Sequence, residues 1–256
     1  MGTHFGPRLT LDGVLAPGLH GILSYGEGFR SPQARSLGDG ERAPFTRVQS
    51  METGVRYVTS SINASLAAFR TSLKDDLVFD PATTRNESVP STQRLGIAFE
   101  FTIKPTEWFV SSGNATYTQA KFTTSDSRYG AGDKLPYVPE FIVRQDVAIT
   151  PSLGRLWTHR LNARLGTALT GMFNRPQPYG QLGHNVFLVD ATAELRAENV
   201  AIGLDVFNLL DAHWYDSEFT YSANFSPGTI ARLVPERYVT AGAPRALLGT
   251  LTLLVD

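Results

Sequence analysis

The side chains able to do chemistry are thinly spread. Five histidines, His4, His20, His159, His184 and His213, form no i, i+4 pair and have no glutamate at ligand spacing, which argues against a metal centre. Serines are common, but no Gly-x-Ser-x-Gly elbow holds one as a nucleophile. Gly26-Glu27-Gly28 and Gly38-Asp39-Gly40 lack the third glycine and the following helix of a phosphate cradle. Cysteine is absent, which excludes a disulfide scaffold, a thiolate zinc site and a cysteine nucleophile together. Two polar sets remain, and their chemistry is recognition rather than bond making. Arg35, Arg42, Arg47, Arg128, Lys134, Arg175 and Tyr179 lie in stretches rich in Gly, Pro, Asp and Ser, where they either attract an anionic chelate or are simply solvated. Arg160, Arg164, Asp190, Glu194 and Arg196 alternate with apolar residues, so the segments that carry them have one charged face.

That alternation identifies the elements. In the stretch 93–104, Leu95, Ile97, Phe99, Phe101 and Ile103 oppose Arg94, Gly96, Ala98, Glu100, Thr102 and Lys104. In the stretch 187–198, Phe187, Val189, Ala191, Ala193 and Leu195 oppose Leu188, Asp190, Thr192, Glu194 and Arg196. Segments 160–173, 141–149 and 200–206 repeat the pattern. Short connections near 16–18, 59–61, 104–106, 151–157 and 197–199 alternate with long polar ones near 31–46, 80–91, 123–138, 174–185 and 215–243. The breaks leave about eleven strands of roughly ten to fifteen residues, well beyond the ~5–6 typical of soluble sheets.

Long antiparallel strands, tight turns at one end and long loops at the other predict an all-β transmembrane β-barrel of about eleven strands, possibly twelve. In lipid every backbone donor and acceptor must be paired within the protein, so only helices or closed sheets can span. No apolar run approaches the ~18–20 residues that a helix needs. The apolar faces would meet lipid, while Arg160, Arg164, Asp190, Glu194 and Arg196 would face the lumen. Tyr25, Phe29, Tyr57, Phe79, Trp108, Phe109, Phe122, Tyr137, Phe141, Trp157, Phe173, Trp214 and Tyr215 fall near strand ends, as an interfacial girdle requires. Alternation alone leaves open a soluble all-β binding module, a sandwich with its apolar faces together. A net charge of −1, from 23 Lys+Arg against 24 Asp+Glu, makes nucleic acid an unsuitable partner.

The segments Leu204 to Asp216, Tyr25 to Pro32 and Arg237 to Leu253 together resemble the C-terminal half of the β-barrel of a TonB-dependent outer-membrane receptor. Leu204 to Asp216, LDVFNLLDAHWYD, is similar to that family's penultimate-strand signature. Tyr25 to Pro32, YGEGFRSP, resembles its strand-to-loop step, and Arg237 to Leu253, RYVTAGAPRALLGTLTL, its closing strand after a Pro-Arg pair. Leu135-Pro136-Tyr137-Val138-Pro139 sits where such barrels carry a proline-rich strand entry. The resemblance implies a receptor, not an enzyme, in the bacterial outer membrane. Its substrate would be a scarce nutrient, a ferric siderophore or cobalamin, with no cofactor. Family barrels have 22 strands around a plugged lumen, so residues 1–256 would be a single C-terminal portion. The partners implied are outer-membrane lipid, an N-terminal barrel half with its plug, and the TonB-type coupling machinery reached only through that plug. The start carries neither the basic nor the apolar region of a secretory signal. A fragment, a split receptor, a smaller barrel and a nonspecific outer-membrane pore are all compatible with these strands. Arg35, Arg42, Arg128, Lys134, Arg175 and Tyr179 would stand in the extracellular loops.

Overall fold

The computed structural model describes residues 5–30, 46–74, 76–80, 85–156, 159–223 and 234–253. Sixteen strands follow one another among them: β1 (Arg8–Ala16), β2 (Leu19–Arg30), β3 (Thr46–Val58), β4 (Ile62–Lys74), β5 (Asp76–Asp80), β6 (Arg85–Val89), β7 (Thr92–Thr106) and β8 (Phe109–Phe122). Then come β9 (Phe141–Ile149), β10 (Ser152–Leu156), β11 (His159–Phe173), β12 (Val186–Ala197), β13 (Val200–Phe207), β14 (Tyr215–Ala223), β15 (Val234–Ala241) and β16 (Ala246–Leu253). Eleven of them pair antiparallel in the order β1-β2-β3-β4-β7-β8-β9-β11-β12-β13-β16, and β10 adds a twelfth strand against β11. Among the described residues β1 pairs only with β2 and β16 only with β13, so the sheet is an open wall.

The expected eleven long strands are this wall. Two long connections read as polar loops instead contain hairpins, β5-β6 and β14-β15, each paired only within itself. The wall passes from β4 to β7 and from β13 to β16 as if the hairpins were absent. At the other end Pro17-Gly18 turns the chain between β1 and β2, with Gly18 at φ 75°, where a side chain would be strained. The turn expected at 104–106 falls two residues later, because β7 runs through Pro105 to Thr106. The connection expected at 151–157 is mostly the short strand β10.

Side chains of directly paired residues share a face, so the register defines both surfaces. One row runs Leu23, Thr53, Ala68, Ile97, Tyr117, Phe141 and Phe173 across seven strands. This apolar face is bare: Leu95 and Ile97 are each 51% exposed, and Phe99 is 40% exposed. Among the described residues no second sheet covers it, which argues against the sandwich reading. The opposite face carries Asp12, Arg56, Ser65, Glu100, Asn114, Arg144, Arg164 and Glu194 in registered rows. A wall with one bare and one polar face has no central core. The buried apolar cluster of Val89, Ala120, Phe122 and Leu135 sits at the long-loop end, where Phe122 stacks on Tyr129.

The girdle expectation holds for some rings and not for others. Tyr57, Trp108 and Phe109 stand at the tight-turn end, and Phe141 and Phe173 pair at 5.9 Å at the loop end. Phe122 is 1% exposed, and Tyr137 packs edge-on to Phe219 beneath the loops, so both anchor loops instead. The side chain of Phe79, and Trp157, lie outside the described residues.

Two of the quoted motifs form one joint. β13 is followed directly by Asn208, whose backbone N–H donates to the Asp190 carboxylate at 2.8 Å and whose φ is 50°. The Asn208 amide takes the Ala212 N–H at 2.9 Å and donates to the carbonyls of Ala212 and Ala243, at 3.0 and 3.3 Å. Asp211, at φ 53°, accepts from the Arg245 backbone at 3.3 Å and from its guanidinium at 3.0 Å. Hydrogen bonds from Arg245 hold the Asp211 carboxyl below its ordinary range. The Asn-Leu-Leu-Asp turn thus fixes the Ala-Pro-Arg lead into β16 beside β13.

Candidate ligand site at the loop end

Described parts of the connections 123–138, 174–185 and 215–243 converge on a cavity of about 830 Å³ whose lining includes Arg128, Tyr129, Lys134, Tyr137, Tyr179 and Tyr221. Local hydrogen bonds set the loop 123–140. Asp126 takes the backbone N–H groups of Arg128 at 2.7 Å and Tyr129 at 2.8 Å, and these bonds hold its carboxyl below the ordinary range. Asp133 takes the Gly130 N–H at 2.7 Å, and Ser125 Oγ that of Ala131 at 2.8 Å. Arg128 therefore projects at a fixed place, its guanidinium 5.8 Å from the Tyr129 ring centre and 4.0 Å from Asp80. Lys134 pairs with Glu140 at 2.7 Å. Tyr137, at φ 65°, donates its hydroxyl to the Thr220 carbonyl at 3.3 Å, and burial pushes its phenol pKa up.

The opposing wall is the loop 174–185 and the β14-β15 hairpin, held together by Glu218. Its buried carboxylate accepts from Arg175 at 2.7 Å, from the His184 backbone at 2.8 Å and from the His184 ring at 2.9 Å, and pairs with Arg237 at 3.2 Å. Burial is the largest influence and pushes this carboxyl up, but the bonds from His184 and Arg175 together outweigh it and hold it below its ordinary range. Gln177 joins the clamp through the Glu218 carbonyl at 3.4 Å and Thr220 at 3.4 Å. Tyr179 stands exposed at φ 61°, its hydroxyl 3.2 Å from Ser222 Oγ.

Of the loop residues singled out by sequence, Arg128, Lys134 and Tyr179 come together on this cavity. Arg175 does not join them, because its guanidinium is spent on Glu218. Arg35 and Arg42 lie outside the described residues. Glu218 and Tyr221 escaped sequence reading, which weighs His184 only as a metal ligand and Tyr137 only as a girdle ring and part of a strand entry. The alternation of Glu218 and Thr220 with Phe219 and Tyr221 in β14 was the available signal.

Arg160, Arg164, Asp190, Glu194 and Arg196 share the face opposite the apolar band. Arg164 is registered against Glu194, which pairs with Arg196 at 3.3 Å. Asp190 is partly engaged by the Asn208 turn. A second cavity of about 400 Å³ opens on this face beside Arg144, Asp146, Arg164, Asp190 and Asp205. Arg144 and Asp146 pair through two bonds of 3.0 Å. Among the described residues no group of three or more His, Asp or Glu is placed to hold a metal ion. The loop-end cavity offers phenols, the cations Arg128 and Lys134 and the carboxylates Asp80 and Asp133, a lining suited to stacking and polar recognition.

Solved structures share this wall. The ferric yersiniabactin uptake receptor FyuA of Yersinia pestis superposes with a TM-score of 0.71 at 17% identity, over 96% of this chain and 36% of that one. BauA, the ferric preacinetobactin receptor of Acinetobacter baumannii, gives 0.70 at 16% identity, over 96% and 36%. The copper transporter OprC gives 0.65 at 14% identity, over 96% and 38%. The chain thus spans little more than a third of their length. No curated protein matches the sequence. The family model described as TonB dependent receptor-like, beta-barrel, matches residues 2–209, and the chain belongs to that family.

Proposed function

We propose that residues 1–256 form a single C-terminal portion of the barrel of an outer-membrane TonB-dependent receptor that takes up a ferric siderophore. The bare apolar band, opposite a face that holds Asp12, Arg56, Glu100, Arg144, Arg164 and Glu194, carries the membrane reading, since a soluble chain would bury the band. Arg160, Arg164, Asp190, Glu194 and Arg196 line the lumen, and an N-terminal barrel half with a plug completes the wall between β1 and β16. Coupling to the TonB machinery runs through that plug. The family is one of transport receptors, and the role of this portion is recognition without bond making.

The reading of an anionic chelate rests on Arg128 and Lys134 meeting the phenols of Tyr129, Tyr137, Tyr179 and Tyr221 at the loop-end cavity, where the carboxylates of Asp80 and Asp133 also stand. FyuA and BauA are named for ferric siderophores and OprC for copper, so one wall serves different cargo and the loops set the choice.

The test is titration of the full chain in detergent micelles, read by quenching of tyrosine emission. A ferric tris-catecholate, which is anionic, should bind saturably, and a neutral ferric tris-hydroxamate should bind far less. A charge-assisted hydrogen bond contributes roughly 1.5–3 kcal/mol. Arg128→Ala should therefore weaken binding by about tenfold or more. Equal affinity for the two chelates, or unchanged affinity in R128A/K134A, would sink the anionic reading.

A further inference from the structure

The apolar face does not stay apolar to its upper edge. Above the row of Leu23, Thr53, Ala68, Ile97 and Tyr117 it turns basic over β3, β4 and β8, where Arg47, Arg70, Lys74 and Lys121 are all exposed. Arg47 is registered directly opposite Lys74, and Lys121 bridges to Lys134. Like charges facing each other across a strand pair are destabilising unless an anion lies between them.

The carboxylates nearby are already engaged. Glu27 accepts from the Tyr25 hydroxyl and, at 3.1 Å, from Gln49. Glu140 is held by Lys134, and Asp76 is turned to the other face against Thr92 and Arg94. Among the described residues no carboxylate forms an ion pair with Arg47, Arg70, Lys74 or Lys121. Further round the same edge, Phe141 and Phe173 replace the cations, so the charge is local to one sector.

We propose that this sector binds the headgroup of a phosphorylated, acylated lipid of the leaflet on the long-loop side. The inference rests on the membrane reading above. Its cations form two poles. Arg47 and Lys74 make one, on β3 and β4. Arg70 and Lys121 make the other, linked by Gln93, whose amide oxygen in its hydrogen-bonded orientation takes Arg70 Nε and Nη2 at 2.9 Å each and which is registered against Lys121. Lys121 stands two strands from β4 at ~4.8 Å each, and Arg70 four residues from Lys74 along β4 at ~3.3 Å each, so the second pole lies about 12 Å from the first. One phosphate cannot span them, and a headgroup with two phosphoryl groups at that separation can. Directly below, Met51, Leu66, Leu95, Ile97 and Tyr117 stand exposed and give acyl chains an apolar bed. The long stems of Arg and Lys let their charges reach the headgroup level while their methylenes stay on that bed. A free anion would gain nothing from the bed, which is why an amphiphile fits better than inorganic phosphate.

The experiment reconstitutes the full chain in phosphatidylcholine vesicles doped with diphosphoryl lipid A, with its monophosphoryl form, or with neither. After detergent extraction, retained lipid is counted by native mass spectrometry. Retention should rank diphosphoryl over monophosphoryl by about tenfold, the effect of one lost charge-assisted contact. It should fall to the undoped level in R47Q/R70Q/K74Q/K121Q and stay unchanged in R144Q/R164Q, which alters the polar face. Equal retention of the two forms, retention that survives the quadruple substitution, or displacement by millimolar inorganic phosphate would overturn the proposal. A chain that inserts in vesicles yet ignores the phosphoryl groups refutes this inference alone. Failure to insert even together with the N-terminal barrel half that closes the wall would refute the membrane reading and this inference with it.

Discussion

Replacing Glu218 by glutamine separates the loop clamp from the wall beneath it. Glu218 has a side chain with 0% exposure and gathers Arg175, both donors of His184, and Arg237. The substitution leaves Arg175, only 11% exposed, as a buried cation whose Nε already has no partner. Removing one partner of a buried pair costs about 3–5 kcal/mol. The lower end applies here, because glutamine still accepts a hydrogen bond and the side chains of His184 and Arg237 are 50% and 32% exposed. At 1.4 kcal/mol per tenfold, ~3 kcal/mol raises the open population of the loop about a hundredfold. Amide hydrogen exchange reads this locally, at the Gly183 N–H bonded to the Arg175 carbonyl and the Tyr137 N–H bonded to that of Pro176, both 2.8 Å. Arg237→Gln, which loses a half-exposed partner, should move the same amides by ~1 kcal/mol or less. If exchange at Gly183 in Glu218→Gln rises no further than in Arg237→Gln, the clamp is not what holds the loop. The pH dependence has a fixed sign. The Glu218 carboxyl is held below its ordinary range, so its stabilisation is fully present above the unfolded value, about 4.3. It is lost as pH falls through the lower folded value. Loop exchange corrected for intrinsic rate should be flat from neutral pH to about 5 and accelerate only below about 4. Acceleration beginning well above about pH 5 would mean that the Glu218 carboxylate is not what closes the clamp.

Three further outcomes follow from the wall. Ile97→Arg places a charge in the bare band and should lower stability in lipid vesicles by roughly 2–4 kcal/mol, whereas Thr116→Arg on the opposite face should cost far less. Urea titration of the vesicle-inserted chain compares them, and equal costs would mean that the face of Ile97 does not meet lipid. Asn208→Ala removes the amide that ties Ala212 and Ala243 and should cost about 2 kcal/mol, seen as proteolytic nicking near residues 209–212. Asn208→Gly keeps the left-handed backbone but should be nicked as well, and protection in that variant would assign the joint to backbone shape alone. Phe122→Ala empties the loop-end core under Tyr129 and should cost ~3–5 kcal/mol locally. It should speed exchange at the Gly132 N–H that bonds the Phe122 carbonyl, while the apolar rows between β11 and β12 stay protected.

The wall was legible because period-two patterning is imposed residue by residue. Leu95 to Ile103 and Phe187 to Leu195 each needed every second side chain apolar, and both registers come out with those residues on one face. The short turns were legible where Pro17-Gly18 and Glu198-Asn199 supply the backbone shapes a reversal needs, and slipped where Pro105 ends nothing because β7 carries it to its last residues. The loop end was opaque for a different reason. Arg175 and Glu218 are 43 residues apart, and neither residue's neighbours announce the other. Local composition marks 215–243 as polar and turn-rich, although Glu218 and Thr220 are buried there in β14. A loop cation read from sequence could therefore be either a ligand contact like Arg128 or an internal strut like Arg175, and only the fold separates the two.

The same asymmetry accounts for the comparisons. At 14–17% identity, FyuA, BauA and OprC keep the wall with TM-scores of 0.65–0.71. A strand of such a wall accepts any residue that respects which face meets lipid and which meets polar surroundings, so sequence can drift far while the register holds. The loops answer to no period, and their geometry depends on pairs such as Glu218 with Arg175 or Asp126 with the N–H of Tyr129. Substitution there changes the cavity without disturbing the rows below. That decoupling lets one barrel wall present different cavities, in the part of this chain that sequence patterning describes least.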